Sequence, residues 1–197
     1  MIDLAQAQPG TVFLAEDEAW MYLQATTMAV WSPEAETPVA RVDPGHTKVG
    51  FYRKDLLNVH VQPGGTLNLC TGEEIVTRTE GFNSQLTATH LQSILDSLPD
   101  NPIVLFWDRA KWHRGQAVRE LLAANPRLEI IEFPAGAPDL NPQEQVWKQT
   151  RRKVSHNHLD PKLPVLADRF EDHLRSNTFH SSFLDHYGFN IVCPFLN

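Results

Sequence analysis

Three carboxylates, Asp17, Asp108 and Glu144, stand where an apolar segment ends or a helix begins. Asp17 follows the apolar, β-compatible stretch 11–15, and Asp108 closes the unbroken apolar run Ile-Val-Leu-Phe-Trp at 103–107. Glu144 falls in the first turn of a helix read from Pro142. Open α/β sheets place ligands at the carboxyl ends of their strands. Three acids meeting there would repel one another unless cations shared them, and hard oxygen donors of this kind suit Mg²⁺, with Mn²⁺ as a substitute. Two ions about 3.5–4 Å apart would activate a water or a 3′-hydroxyl and stabilise the departing oxygen in an in-line attack at phosphorus. Such chemistry needs position and charge from the protein, and no nucleophilic Ser or Cys.

Each acid also has a plainer reading. Asn141 is a good N-cap, Pro142 suits the first helical position and Glu144 then falls at N3, so a capping box accounts for that segment by itself. An Asp at a strand end commonly serves a turn or a cap. Glu16 and Glu18 should point to the strand face opposite Asp17 and are read as spare acids.

Cations surround the three acids in sequence. Arg109, Lys111 and Arg114 occupy the loop beside Asp108 and are read as phosphate contacts. His113, between them, is read as a DNA-touching or ligand-orienting group, with capping or packing as the alternative. Lys148 and Arg151 share the helix face of Glu144 at i+4 and i+7, and Arg152 adjoins them; all three are candidates for phosphates flanking a cut. A solvated face with a Glu144–Lys148 pair is the alternative. Trp112 could stack on an unpaired base or anchor its loop. His156 and His158 suggest a metal pair but lack an evident third ligand.

The elements that must position these residues follow from periodicity. Residues 11–15 form a buried strand ending in acids. Leu57, Val59 and Val61 alternate with polar residues, and Leu67 and Leu69 follow Pro63-Gly64-Gly65, which predicts a hairpin turning at the glycines. Residues 29–31 and 38–40 are weaker strand candidates, and Asp43-Pro44-Gly45 marks a turn. Leu91, Ile94, Leu95 and Leu98 lie on one helical face ending near Pro99. The apolar run 103–107 suits a central strand covered on both faces. Ala117, Val118, Leu121 and Leu122 make a short helix stopped at Asn125-Pro126, and 128–133 is a further strand. In the tail, Leu166, Phe170 and Leu174, then Phe179, Phe183 and Tyr187, predict two packing helices. Several strands followed by helix, strand, helix, strand, helix fit an α/β fold of ribonuclease H-like type, a mixed central sheet flanked by helices. Residues 1–160 are expected to form the catalytic domain and 161–197 a C-terminal helical extension packed on it.

Two segments carry a family resemblance. Asp108-Arg109-Ala110-Lys111-Trp112-His113-Arg114 resembles the D-x-A-x-x-H-R segment of transposases of the mariner-like superfamily, in its bacterial insertion-sequence branch. The stretch Pro138-Asp139-Leu140-Asn141-Pro142-Gln143-Glu144-Gln145-Val146-Trp147 resembles that family's P-D-L-N-P-x-E-x-x-W segment, with roughly 35 residues between Asp108 and Glu144. Phe13 to Glu18 resembles its apolar strand followed by D-E, with Asp17 as the first acid. Trp31-Ser32-Pro33, Thr37-Pro38-Val39 and the run Leu67 to Gly72 resemble its downstream segments, so the likeness spans about residues 11–158. The resemblance implies a DDE triad of Asp17, Asp108 and Glu144, two divalent metals, and cut-and-paste movement of a DNA element into a short AT-containing target. Such transposases place helix-turn-helix modules before the catalytic domain, whereas here the first catalytic strand begins near residue 11. A separate N-terminal DNA-binding module or second reading-frame product is therefore expected as a partner, and homodimerisation is left open. A ribonuclease H-like nuclease without joining activity and an inactive relative acting as an assembly partner are the competing functions.

Bulk properties fit a chemistry module with weak DNA affinity of its own. A chain of 197 residues with 42% hydrophobic content buries one core. The net charge of −7 argues against strong autonomous DNA binding, which depends on Lys and Arg neutralising phosphates. No run approaches the roughly 18 apolar residues of a membrane span. A soluble cytoplasmic protein is expected, nucleoid-associated when on DNA. Cys70 and Cys193 are solitary, so they are read as buried fillers and not as a disulfide or zinc framework.

Overall fold

The computed structural model describes residues 10–23, 62–79, 81–160 and 162–179, together with Gly188 and Cys193. The expected elements at 29–31, 38–40, 43–45 and 57–61, and the second tail helix through Phe183 and Tyr187, lie outside the described residues.

Five strands form one mixed sheet in the order β3-β2-β1-β4-β5: β1 is Val12–Glu18, β2 Gln62–Asn68, β3 Glu74–Thr79, β4 Ile103–Trp107 and β5 Leu128–Glu132. β1 pairs antiparallel with β2, β2 antiparallel with β3, and β1, β4 and β5 run parallel. Between the parallel strands lie α1 (Ser84–Ser97) and α2 (Gln116–Ala124). Their apolar faces meet Leu14, Ile103, Leu105 and Trp107 on one side of the sheet. On the other side α3 (Pro142–Thr150) and α4 (Leu163–Ser176) cover Phe13, Ala15, Leu67 and Val104. Cover on both faces is why β1 and β4 read as continuous apolar runs rather than alternating ones.

Local signals fix the helix ends. Asn83 caps α1 by accepting from the N–H groups of Gln85 and Leu86. Arg127 holds its far end, donating to the carbonyls of Leu95, Leu98 and Asn101. α3 passes into one π-helical turn, Arg151–Ser155, before the chain reaches α4, whose Leu166, Phe170 and Leu174 are fully buried.

Two expectations are overturned. Pro63, Gly64 and Gly65 lie inside β2 and pair with β3 on one side, the two glycines also with β1 on the other; the reversal comes later, at 69–73. Gly65 is there because of what crosses it: an added Cβ would lie 2.6 Å from Gln143 Nε2 and 2.9 Å from Trp147 Cζ2. Cys70 and Cys193 are joined in a disulfide, with Cα atoms 5.5 Å apart and 123 residues between them in sequence. At that separation proximity is set by the fold alone, so no local spacing announces it. No helix among the described residues is long and apolar enough to cross a membrane.

Candidate active site

The C-terminal ends of β1 and β4 lie side by side, since Ala15 is level with Phe106 in a parallel ladder. The pairing stops there, and both acids come two residues later, Asp17 still within β1 and Asp108 in the loop just after β4. The side chains of β1 then divide. Phe13, Ala15 and Asp17 face α3 and α4, while Leu14, Glu16 and Glu18 face α1 and α2.

Asp17 accepts a hydrogen bond from Trp147 Nε1 at 3.0 Å. Glu144 stands one helical turn before Trp147, on the same side of α3, and its charge reaches Asp17. Burial, then the negative charges of Glu144 and Glu18, raise the Asp17 carboxyl to about 7, against the opposing hydrogen bonds from the Glu18 N–H and Trp147. A carboxyl placed this way favours a cation beside it.

Glu144 is free of the plainer duty proposed for it. Asn141 does cap α3, accepting from Gln143 N at 3.1 Å, but its own N–H goes to Pro138 O at 2.9 Å. The reciprocal half of a capping box is therefore not formed. No ion pair joins Glu144 to Lys148 among the described residues, and Lys148 and Arg152 are exposed with Arg151 partly so. Asn141 also donates through Nδ2 to the backbone carbonyl of Glu16, tying the start of α3 to the end of β1.

Asp108 begins the loop after β4. Its Oδ1 accepts from Ala110 N at 2.8 Å and lies 3.3 Å from His113 Nδ1, and the side chain is 55% exposed. Of the readings for His113, contact with DNA is not met, since its side chain is 1% exposed; the ring stacks on Trp107 and contacts Asp108 O and Glu18 Oε1, so it packs beneath the loop and orients it. Burial pulls the His113 pKa down, and the hydrogen bond and charge of Glu18, with the Asp108 contacts, raise it on balance. Trp112 anchors the same loop, donating Nε1 to Glu18 Oε1 at 2.6 Å. Arg109 and Arg114 both pair with Glu132 on β5, at 3.2 and 3.4 Å, while Lys111 is exposed. His156 and His158 join no cluster of three metal-binding groups among the described residues.

Sequence reasoning missed three partners: Trp147, Asn141 as a tie to Glu16, and the buried pair Glu74–Gln143 at 3.1 Å. Only the first left a sign, the tryptophan three residues after Glu144 in the motif itself.

The sequence matches the family described as DDE superfamily endonuclease over residues 14–163. The chain belongs to that family. The fold is similar to those of solved transposase structures. One is the Mos1 strand transfer complex, with a TM-score of 0.61 and 11% identity over 93% of this chain and 53% of that one. The Mos1 paired-end complex with the left transposon end gives 0.58 and 11%, over 93% and 52%. The catalytic domain of Mos1 mariner transposase gives 0.55 and 10%, over 93% and 78%. At these identities the likeness is one of fold, and this chain spans about half the length of the transposases in the two complexes. Among curated proteins, none matches the sequence. The ribonuclease H-like architecture expected from the element order is the one observed.

Proposed function

We propose that this chain is the catalytic part of a cut-and-paste DNA transposase, with Asp17, Asp108 and Glu144 holding two divalent cations, Mg²⁺ or, in its place, Mn²⁺. The observation that carries this reading is the meeting of three elements at one sheet edge. Asp17 on β1 feels the charge of Glu144 on α3, and Asp108 directly follows β4, the strand paired beside β1. An all-oxygen donor set of this kind fits a hard cation. When bound, the cations supply activation of the attacking oxygen and charge neutralisation at the leaving one.

The rest is positioning by the chain. Trp147 fixes the Asp17 carboxylate, the Ala110 N–H and His113 fix Asp108, and Asn141 docks the first turn of α3 so that Glu144 faces the strand ends. Lys111, Lys148, Arg151 and Arg152 are available to phosphates flanking the cut, and Arg109 and Arg114 become so when DNA displaces Glu132. The DNA partners are element ends and an AT-containing target. A helix-turn-helix module, before this domain or from a second reading frame, supplies the affinity that a charge of −7 does not, and a homodimer brings two ends together. Residues 1–160 form the catalytic domain and 161–197 an extension packed on it, working in the cytoplasm and on the nucleoid.

The test supplies labelled DNA with a free 3′-hydroxyl and a target plasmid, in Mg²⁺ or Mn²⁺. Joined products that vanish in Asp17→Asn, Asp108→Asn and Glu144→Gln support the proposal. Nicks without joining would make the chain a nuclease, and undiminished activity of Asp108→Asn would remove the triad.

A further inference from the structure

On the sheet face away from Asp17 and Trp147, three groups converge outside the proposed triad: two glutamates that the proposed reaction does not use, and His113, which serves it only by holding Asp108. Glu16, 2% exposed, and Glu18 project from β1 toward His113. His113 Nε2 lies 3.1 Å from Glu18 Oε1 and 3.6 Å from Glu16 Oε2, and one donor atom from each residue falls within 4.8 Å of the others. In a four-coordinate site with bonds of about 2.0–2.2 Å, neighbouring donor atoms are separated by roughly 3.3–3.6 Å. The two separations from His113 lie at or close to that range, and the glutamate oxygens lie within 4.8 Å of each other.

The surroundings are those of a metal-binding imidazole. His113 Nδ1 lies 3.1 Å from the backbone carbonyl of Asp108, which accepts only if Nδ1 carries the proton. With Nδ1 held there, Nε2 faces the two carboxylates, and a cation would replace the proton that Nε2 shares with Glu18, the arrangement that outer hydrogen bonds impose on ligating histidines. Glu18 is oriented in turn by Trp112 Nε1. Independently of these contacts, Glu16 Oε2 is buried without a hydrogen-bond partner. A buried carboxylate oxygen left so is costly, and a cation would satisfy it. The two glutamates also line a cavity of about 20 Å³ bounded by Gly64, Thr77, Phe82 and His90. That is room for one water as a fourth ligand, and too little for a substrate.

We propose that Glu16, Glu18 and His113 form a zinc-type site distinct from the Asp17–Asp108–Glu144 triad, a clip that pins the loop after β4 to the end of β1. Imidazole with carboxylates selects a transition ion such as Zn²⁺ over Mg²⁺. Because His113 lies five residues after Asp108 and Glu16 and Glu18 flank Asp17, the clip fixes two strand ends that carry acids of the triad.

The experiment titrates Zn²⁺ against a chromophoric chelator in the full chain carrying Asp17→Asn and Glu144→Gln, with millimolar Mg²⁺ present to fill residual hard sites. One equivalent of Zn²⁺ is expected, weakened more than about tenfold by Glu16→Gln or His113→Gln, since loss of even an outer-shell partner costs ~10–100-fold. No stoichiometric Zn²⁺, or binding that both substitutions leave unchanged, overturns the proposal. If either variant fails to fold, by far-ultraviolet circular dichroism, anomalous scattering at the zinc edge from crystals of the Asp17→Asn/Glu144→Gln chain decides. A peak bonded to Glu16, Glu18 and His113 supports the site, and its absence there refutes it.

Discussion

Trp147 crosses from α3 over Gly65 of β2 to donate its indole N–H to Asp17 of β1, so one side chain links three elements at the proposed catalytic edge. Gly65 is the ladder partner of Asp17, and its missing side chain opens the slot through which the indole reaches the carboxylate.

Trp147→Phe keeps most of the buried ring and removes the donor. A hydrogen bond to a charged group contributes about 1.5–3 kcal/mol, so a stability loss of that order is expected in denaturant melts. The same bond holds the Asp17 carboxyl down, and without it the acid is harder to ionise. The half-saturating Mg²⁺ concentration for cleavage should rise severalfold. An unchanged Mg²⁺ dependence would separate Trp147 from Asp17.

Gly65→Ala forces a methyl group into Trp147 and Gln143. Overpacking of this kind costs about 1–3 kcal/mol. Thermal melts should show the loss, and DNA cleavage should fall more than stability accounts for because Trp147 must move. Full activity with a wild-type melt would mean that Trp147 does not fill the slot over Gly65.

Glu74 gives a pH signature. Burial raises it from 4.5 to about 8 against a hydrogen bond from Gln143. Its folded-state value exceeds its unfolded one, so the folded protein binds this proton more tightly. Stability should therefore fall as pH rises from about 4.5 through about 8, and Glu74→Gln should abolish that part of the slope. Denaturant unfolding at pH 6 and pH 8.5 measures it. The variant should gain relative to the parent at the higher pH, and parallel profiles would contradict the assignment.

Glu132→Gln releases Arg109 and Arg114 from their shared acid. Duplex DNA should bind several times more tightly at low salt, with a steeper decline as salt increases, since more phosphates would then be neutralised. Fluorescence anisotropy at two salt concentrations reads both effects. An unaltered salt slope would place these arginines away from DNA.

What the sequence made legible, and what it did not, follows from where each signal originates. β4 was readable because burial on both faces demands an unbroken apolar run, and α1 because its buried stripe repeats at helical spacing. β3 was not, because Glu74 and Thr77 within it are polar and their partners, Gln143 and His90, come from distant helices. Pro63-Gly64-Gly65 carries the signature of a turn, and tertiary packing of Trp147 overrode it. At the candidate site the acids were legible through motif and strand-end position. The convergence of Glu16 and Glu18 on His113 was not, since a two-residue period gives the face of a side chain and not what awaits it there.

β1 is hydrogen-bonded along both edges, antiparallel to β2 and parallel to β4, and cannot slide against either neighbour. Composition can drift here, but length cannot. Inserting a single residue before Asp17 would exchange the contents of the two sheet faces, delivering glutamates to α3 and the aspartate to the imidazole. Two inserted residues would restore parity yet carry every carboxylate about 6.6 Å too far along the strand.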